Sequence, residues 1–296
     1  MAISLEPQIA GKIDAEEVHI GKGVVIEESV LITGKGGPAR KVVLGDFTYI
    51  GRHTRIICPE FCLGDYSKIN AFSFANGEKP LQIGRNCWFG GNCVFDAIGG
   101  LDIDDNVGIG AHSQIWTHIQ FGDIVEGSRF YSRKYMLLGK DSWFVGHCIV
   151  SPVRVGEKSM AMVGSVVTRD MLPNHIYAGV PAKDVTDKMG YQFETRTVEQ
   201  KAVKLQEMID AFVSTHPEYR GQLMVARSPE ERREGVCCFD VSQRTYTKNY
   251  GEAEIAFLKA NVPLVKFAPE GEGPFFTPQQ QVEPFGDEAG ARDDGR

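Results

Sequence analysis

Between Leu44 and Lys183 the sequence advances in steps of six. The units include Leu44-Gly45-x-x-Thr48, Ile50-Gly51-x-x-Thr54, Leu63-Gly64-x-x-Ser67, Ile69-Asn70-x-x-Ser73, Ile83-Gly84-x-x-Cys87 and Phe89-Gly90-x-x-Cys93. They continue through Ile103-Asp104-x-x-Val107, Ile109-Gly110-x-x-Ser113, Leu138-Gly139-x-x-Ser142, Phe144-Val145-x-x-Cys148, Val155-Gly156-x-x-Ser159 and Ala161-Met162-x-x-Ser165. A short fixed period with one aliphatic and one small residue per unit specifies a stacked β-solenoid. Each unit supplies one short strand and a corner, and three units close a triangular coil of roughly 18 residues. The aliphatic residue points inward, the small residue fills the wall, and the Gly, Asp or Asn is expected to give the corner its permissive dihedrals. A β-sandwich would instead alternate with period two and carry turns every 8–12 residues or so.

The repeat ends in Val163-Gly164-Ser165-Val166-Val167-Thr168-Arg169-Asp170, then Pro173, then Ile176-Tyr177-Ala178-Gly179-Val180-Pro181-Ala182-Lys183. With the hexads, this run resembles the hexapeptide-repeat acyltransferases, and in particular the last coil and exit loop of their sugar and xenobiotic O-acetyltransferases. The resemblance implies a mainly β fold, a left-handed parallel β-helix, here followed by a small α/β C-terminal extension. It also implies acetyl-CoA as acyl donor and a homotrimer with active sites between neighbouring subunits.

Boundaries follow from where the repeat begins and stops. Residues 1–17 read as an irregular lead-in, 18–186 as the repeat domain, 187–269 as a small extension and 270–296 as a disordered tail rich in Pro, Gln, Gly, Asp and Glu. Within the repeat, Asn76-Gly77-Glu78-Lys79-Pro80 reads as a break. The main interruption lies between Gln120 and Met136, where aromatics and charges replace the hexads. Repeat proteins place such insertions on a binding face. In the extension, Thr197–Thr215 has helical spacing, with Thr197 and Gln200 forming a capping box. Residues 251–260 read as a second helix, and Val236–Val241, Thr245–Thr247 and Leu264–Phe267 as strands.

Composition excludes several classes. The 296 residues are 42% hydrophobic and 24% charged with a net charge of −7, and no basic stripe suits nucleic acid. Of seven cysteines, Cys87, Cys93 and Cys148 occupy the small inward slot, and Cys58-x-x-x-Cys62 lacks a matching second pair, so no metal is expected. No apolar run reaches the length of a membrane span and the N-terminus has no apolar signal core, so a cytoplasmic location is expected.

Acyl transfer to a hydroxyl or amine needs a base, donors for the developing oxyanion, and a site for the thioester. His118, at the last hexad before the long insertion, stands where the resembling transferases carry their catalytic histidine, and imidazole suits proton removal at neutral pH. His112 and His147 share a corner slot with it by hexad register. His147 is a candidate contact for acceptor or cofactor. The resemblance places Asn92 at an acceptor-contacting position. Asp96 nearby is a carboxylate for a sugar hydroxyl or for orienting the histidine, or simply a coil-corner Asp. It places Trp143, Gly146, Val163 and Gly164 along the pantetheine groove, and Thr168, Arg169 and Lys183 at the nucleotide end of CoA. The expected reaction is direct O-acetylation of a sugar or similar small acceptor, without an acyl-enzyme. N-acylation of an amino sugar is a close variant. A γ-type zinc carbonic anhydrase and a non-catalytic scaffold are the alternatives from other classes.

Overall fold

The computed structural model describes residues 3–281. Its backbone divides into two compact units, Pro7–Phe193 with the segment after Phe275, and Glu194–Phe275 with the residues before Pro7.

The larger unit is a three-sheet parallel β-helix. One sheet runs through Gln8–Ile9, Val25–Ile26, Tyr49–Ile50, Lys68–Ile69, Trp88–Phe89, Gly108–Ile109, Trp143–Phe144, Met160–Ala161 and Ile176–Ala178. A second runs through Lys12–Ile13, Leu31–Thr33, Arg55–Ile57, Phe74–Gly77, Val94–Ala97, Gln114–Ile115, Ile149–Val150 and Val166–Val167. The third runs from Ala15–Ile20 through Ala39–Leu44, Glu60–Leu63, Leu81–Ile83 and Leu101–Ile103 to Met136–Leu138. Each coil visits the three sheets in that order. The aliphatic residues Ile50, Leu63, Ile69, Ile83, Phe89, Ile103, Ile109 and Phe144 form the core, and Ser67, Ser113, Ser142, Ser159, Ser165, Cys87, Cys93 and Cys148 are fully buried beside them.

Three expectations change. The coils are longer than 18 residues in the middle: Lys68 pairs with Trp88 and Trp88 with Gly108, 20 positions on. The extra residues sit between the second and third sheets, so Asn76–Pro80 lengthens a corner instead of breaking the helix. Near the end the coils tighten, with Trp143 opposite Met160 and Met160 opposite Ile176. The supposed lead-in is part of the solenoid, because Gln8 pairs with Val25 and Lys12 with Leu31.

The third concerns the hexad glycines. The left-handed backbone falls two residues later, at Phe47, His53, Tyr66, Phe72, Asn86, Asn92, Asn106, His112, Asp141 and His147. What requires glycine at Gly51 is the next coil: a Cβ there would lie 2.6 Å from the backbone nitrogen of Ala71. At the left-handed positions φ lies near +60°, held by the ladder bonds on either side, and Phe47, Tyr66, Asn86 and Asn106 are buried there.

The smaller unit holds the helix Val198–Thr215, the helix Glu252–Asn261 and a four-stranded sheet of Leu223–Ala226, Cys237–Asp240, Thr245–Tyr246 and Ala268–Pro269. The Thr197 hydroxyl accepts from the Gln200 amide and the Gln200 side chain accepts from Thr197, completing the capping box. Phe239 meets Phe257 and Phe267 edge-on at 5.2 and 5.3 Å between ring centres, which makes an aromatic core. The strand expected over Leu264–Phe267 forms one residue beyond it, where Ala268–Pro269 pairs with Thr245–Tyr246. Residues 277–281 are not a free tail, since Gln279 bonds to the solenoid at Asp102 and Pro80. The rest of the expected tail, 282–296, lies outside the described residues.

Candidate active site

His118 begins a departure from the solenoid. Residues His118–Gln120 pair antiparallel with Tyr131–Arg133, so the insertion rises as a hairpin from the corner between the second and third sheets. The apolar residues Phe121, Ile124, Val125 and Phe130 at its tip are exposed. His118 therefore does not share the left-handed corner of His112 and His147. It lies in extended backbone at a different edge, where the hexad step has already ended.

Asp96 lies in the strand Val94–Ala97, one coil below. Its Oδ2 accepts from the backbone amide and the hydroxyl of Thr117, both at 2.7 Å, and lies 2.7 Å from His118 Nδ1. Asp96 is only 3% exposed, whereas 20% of the His118 side chain is accessible. A buried carboxylate with three partners on one oxygen fixes the imidazole: Nδ1 carries the proton toward Asp96, leaving the Nε2 lone pair toward the open side. Trp116 sits beside the ring, 6.2 Å between centres, with its indole N–H on Gln114. The Asp96 carboxylate thus faces the imidazole, the placement that an orienting role requires.

The other candidates occupy both edges of the second sheet. Asn92, His112, His147 and Gly164 stack in successive coils at the edge nearer the first sheet, linked by the amide of His147 on the carbonyl of Ala111 and that of Gly164 on Gly146. The rings of His112 and His147 stack at 4.9 Å. Trp143 lies on the outer face of the first sheet against Gly108, 44% exposed, and Val163 is 63% exposed. Gly146 and Gly164 have positive φ, and a Cβ on Gly164 would meet nothing within 4 Å. At Gly164 this edge therefore carries open space, flanked by the exposed Trp143 and Val163. Lys183, on Lys183–Asp184, is exposed near it, while Thr168 and Arg169 follow Val166–Val167 at the far edge, the one that carries His118. Within one chain the sheet, ~10 Å wide at about 3.3 Å per residue, separates Asn92 and His147 from His118.

The cysteines offer no nucleophile at this site. Burial pushes the thiols of Cys58 up to about 12 and of Cys93 up to about 11, and no disulfide involves them. Among the described residues no group of three His, Cys, Asp or Glu side chains is arranged to hold a metal ion, and no helix is long and apolar enough to cross a membrane.

Sequence reasoning missed the residues flanking the dyad. Thr117, hidden in a small inward slot, bonds to Asp96 through both amide and hydroxyl. Lys79, Arg133, Lys134 and Tyr135 line a cavity beside it. Their only signal was position, at a lengthened corner and at the foot of the insertion.

The galactoside O-acetyltransferase of Escherichia coli is 29% identical over 117 residues, covering 38% of this chain and 57% of that protein. A Staphylococcus aureus protein named as an acetyltransferase is 31% identical over 126 residues, covering 42% and 63%. The chain resembles the hexapeptide-repeat acetyltransferases. It spans about three-fifths of the length of these curated relatives. Among solved structures, the polysialic acid O-acetyltransferase OatWY aligns over 64% of this chain and 91% of that one, at 17% identity and a TM-score of 0.41. No protein-family model matches the chain.

Proposed function

We propose that the protein is a CoA-dependent acyltransferase that moves acetyl from acetyl-CoA to a hydroxyl of a sugar or similar small acceptor. The observation that carries this reading is the Asp96–His118 pair at the foot of the insertion, in a repeat chain whose relatives bear acetyltransferase names.

The chemistry follows from the tautomer. His118 Nε2 takes the acceptor's proton as the oxygen attacks the thioester carbonyl, and Asp96 stabilises the imidazolium that forms. The tetrahedral oxyanion collapses, the C–S bond breaks, and the imidazolium returns the proton to the leaving thiolate. No covalent enzyme intermediate is involved.

On this reading the exposed edge by Trp143, Gly146, Val163 and Gly164 would serve as a groove for the thin pantetheine arm, and Thr168, Arg169 and Lys183 would offer a hydroxyl and two cations to the nucleotide phosphates. Asn92 and His147 stand on that groove edge, away from their own His118. In a homotrimer with sites between neighbours, the groove of one subunit would be completed by His118 of the next. Asn92 and His147 then face acceptor or acyl donor there.

The test is acetyl-CoA turnover with galactosides, glucosides and glucosamine, followed by thiol release, in wild type and His118→Ala. Loss of turnover in the variant with acetyl-CoA binding retained supports the reading. Wild-type protein that neither binds acetyl-CoA at millimolar concentration nor releases CoA refutes it, and acetylation of glucosamine alone would assign an amine acceptor.

A further inference from the structure

Beside the His118 dyad the solenoid has a cavity of about 500 Å³ lined by Lys79, Ile98, Gly99, Arg133, Lys134 and Tyr135, with Gln280 on its rim. It is physically continuous with the catalytic corner. Arg133 is the strand partner of His118, and Thr117 joins the two: its hydroxyl donates to Asp96 and accepts from the Gly99 amide at 2.9 Å, and its carbonyl accepts from the Lys134 amide at 2.9 Å.

The charges in this cavity are unbalanced. Glu78 is the carboxylate at its edge, and it is taken by Arg133 at 2.9 Å and by Lys35 at 3.0 Å. Among the described residues neither Lys79 nor Lys134 is in an ion pair, although the chain as a whole is acidic. The neighbouring acid Asp102 is fully buried behind Tyr135, whose hydroxyl donates to it at 2.7 Å, and its remaining capacity is used by Gln279 and Gln82. Gln280 lines the cavity and its neighbour Gln279 bonds to the Pro80 carbonyl, and neither brings a charge.

Resting on the acyltransferase reading, we infer that this cavity holds an anionic group of the acceptor, a phosphate or carboxylate on the sugar, so that the hydroxyl to be acylated lies at His118 Nε2. Two ammonium groups without an ion pair among the described residues, beside the Arg133 guanidinium that Glu78 holds, form a binding site for such a group. The same chemistry could serve a phosphate of CoA, so the test must separate the two sources.

The experiment uses the full chain with inorganic phosphate, glucose 6-phosphate and glucose as probes, measured by titration calorimetry, with CoA titrated in parallel. Wild type should bind glucose 6-phosphate at least about tenfold more tightly than glucose, the effect of one charge-assisted hydrogen bond or more. Inorganic phosphate should compete. The Lys79→Gln/Lys134→Gln variant should lose that preference while its CoA affinity and melting temperature stay unchanged. The single variants provide the same comparison if the double variant does not fold. Equal binding of glucose and glucose 6-phosphate by wild type overturns the inference, as does a variant that keeps the preference or that loses CoA affinity instead. Because CoA binding is read separately, failure here leaves the acyltransferase reading standing.

Discussion

Thr117 and Asp96 form the hinge of the candidate site: both the amide and the hydroxyl of Thr117 donate to the same Asp96 oxygen that faces His118 Nδ1. The carboxylate is therefore held from two directions before the imidazole meets it, and the imidazole is oriented by a group that cannot swing away.

His118→Ala should lower turnover by about 10² to 10⁴, the usual worth of a positioned general base, with acetyl-CoA affinity unchanged. Asp96→Asn keeps the shape but replaces the acceptor at Nδ1 and should also lower kcat more than it raises KM. Steady-state kinetics with thiol release checks both. Equal kcat for wild type and His118→Ala would remove histidine from the chemistry.

A ligand bound only by the folded state at about 100 times its Kd adds about 2.7 kcal/mol of stability. Thermal unfolding with saturating acetyl-CoA should show that rise in wild type and a smaller one at the same concentration in Lys183→Ala and Arg169→Ala. Unchanged shifts in both variants would place the nucleotide elsewhere.

Burial pushes the Asp102 carboxyl above the ordinary carboxylate range, against the pull of Gln279, Tyr135 and Gln82. The folded protein then holds this proton more tightly than the unfolded chain. Its contribution to stability is fully present below the ordinary Asp value and is lost as pH rises through the raised folded value. Melting temperatures from about pH 3 to 7, spanning the unperturbed carboxylate values, should show wild type losing ground to Asp102→Asn as pH rises. A constant or widening advantage of wild type would contradict the direction.

Gly110 faces the neighbouring coil so closely that a Cβ would run into the carbonyl of Val145. Gly110→Ala must push two coils apart and should cost at least about 1–3 kcal/mol. By contrast Gly164→Ala meets open space and carries only the strain of positive φ, about 1 kcal/mol. Denaturant unfolding of the two variants orders them, and a Gly164→Ala variant less stable than Gly110→Ala would reverse the interpretation.

Thr197→Ala removes one half of the capping box of the Val198–Thr215 helix and should cost about 1 kcal/mol. Hydrogen exchange would locate the loss in the first turn.

The β-helix was legible in the sequence because its cause is local and repeated. An aliphatic residue every sixth position can be buried only if each unit stacks on the same unit one coil away, so Ile69, Phe89 and Ile109 had to fall in register. The helix that starts at Thr197 was legible for the same kind of reason, a cap and a periodic face within one segment. The exit run with Val163, Gly164, Arg169 and Lys183 was legible as a resemblance, and so was His118 beside the insertion. Tertiary structure alone decided what those residues meet. Asp96 and His118 are 22 positions apart, and Gln279 reaches Asp102 across 177. No local pattern encodes such distances, because they depend on how many residues each corner takes and on where the insertion leaves the coil. The hexad suggested one slot for His118, His112 and His147. The fold sends the first into a hairpin and the other two to left-handed corners, because the backbone leaves the six-residue step at Thr117. That single departure puts His118 against the Asp96 carboxylate, beside the cavity lined by Lys79, Arg133 and Lys134.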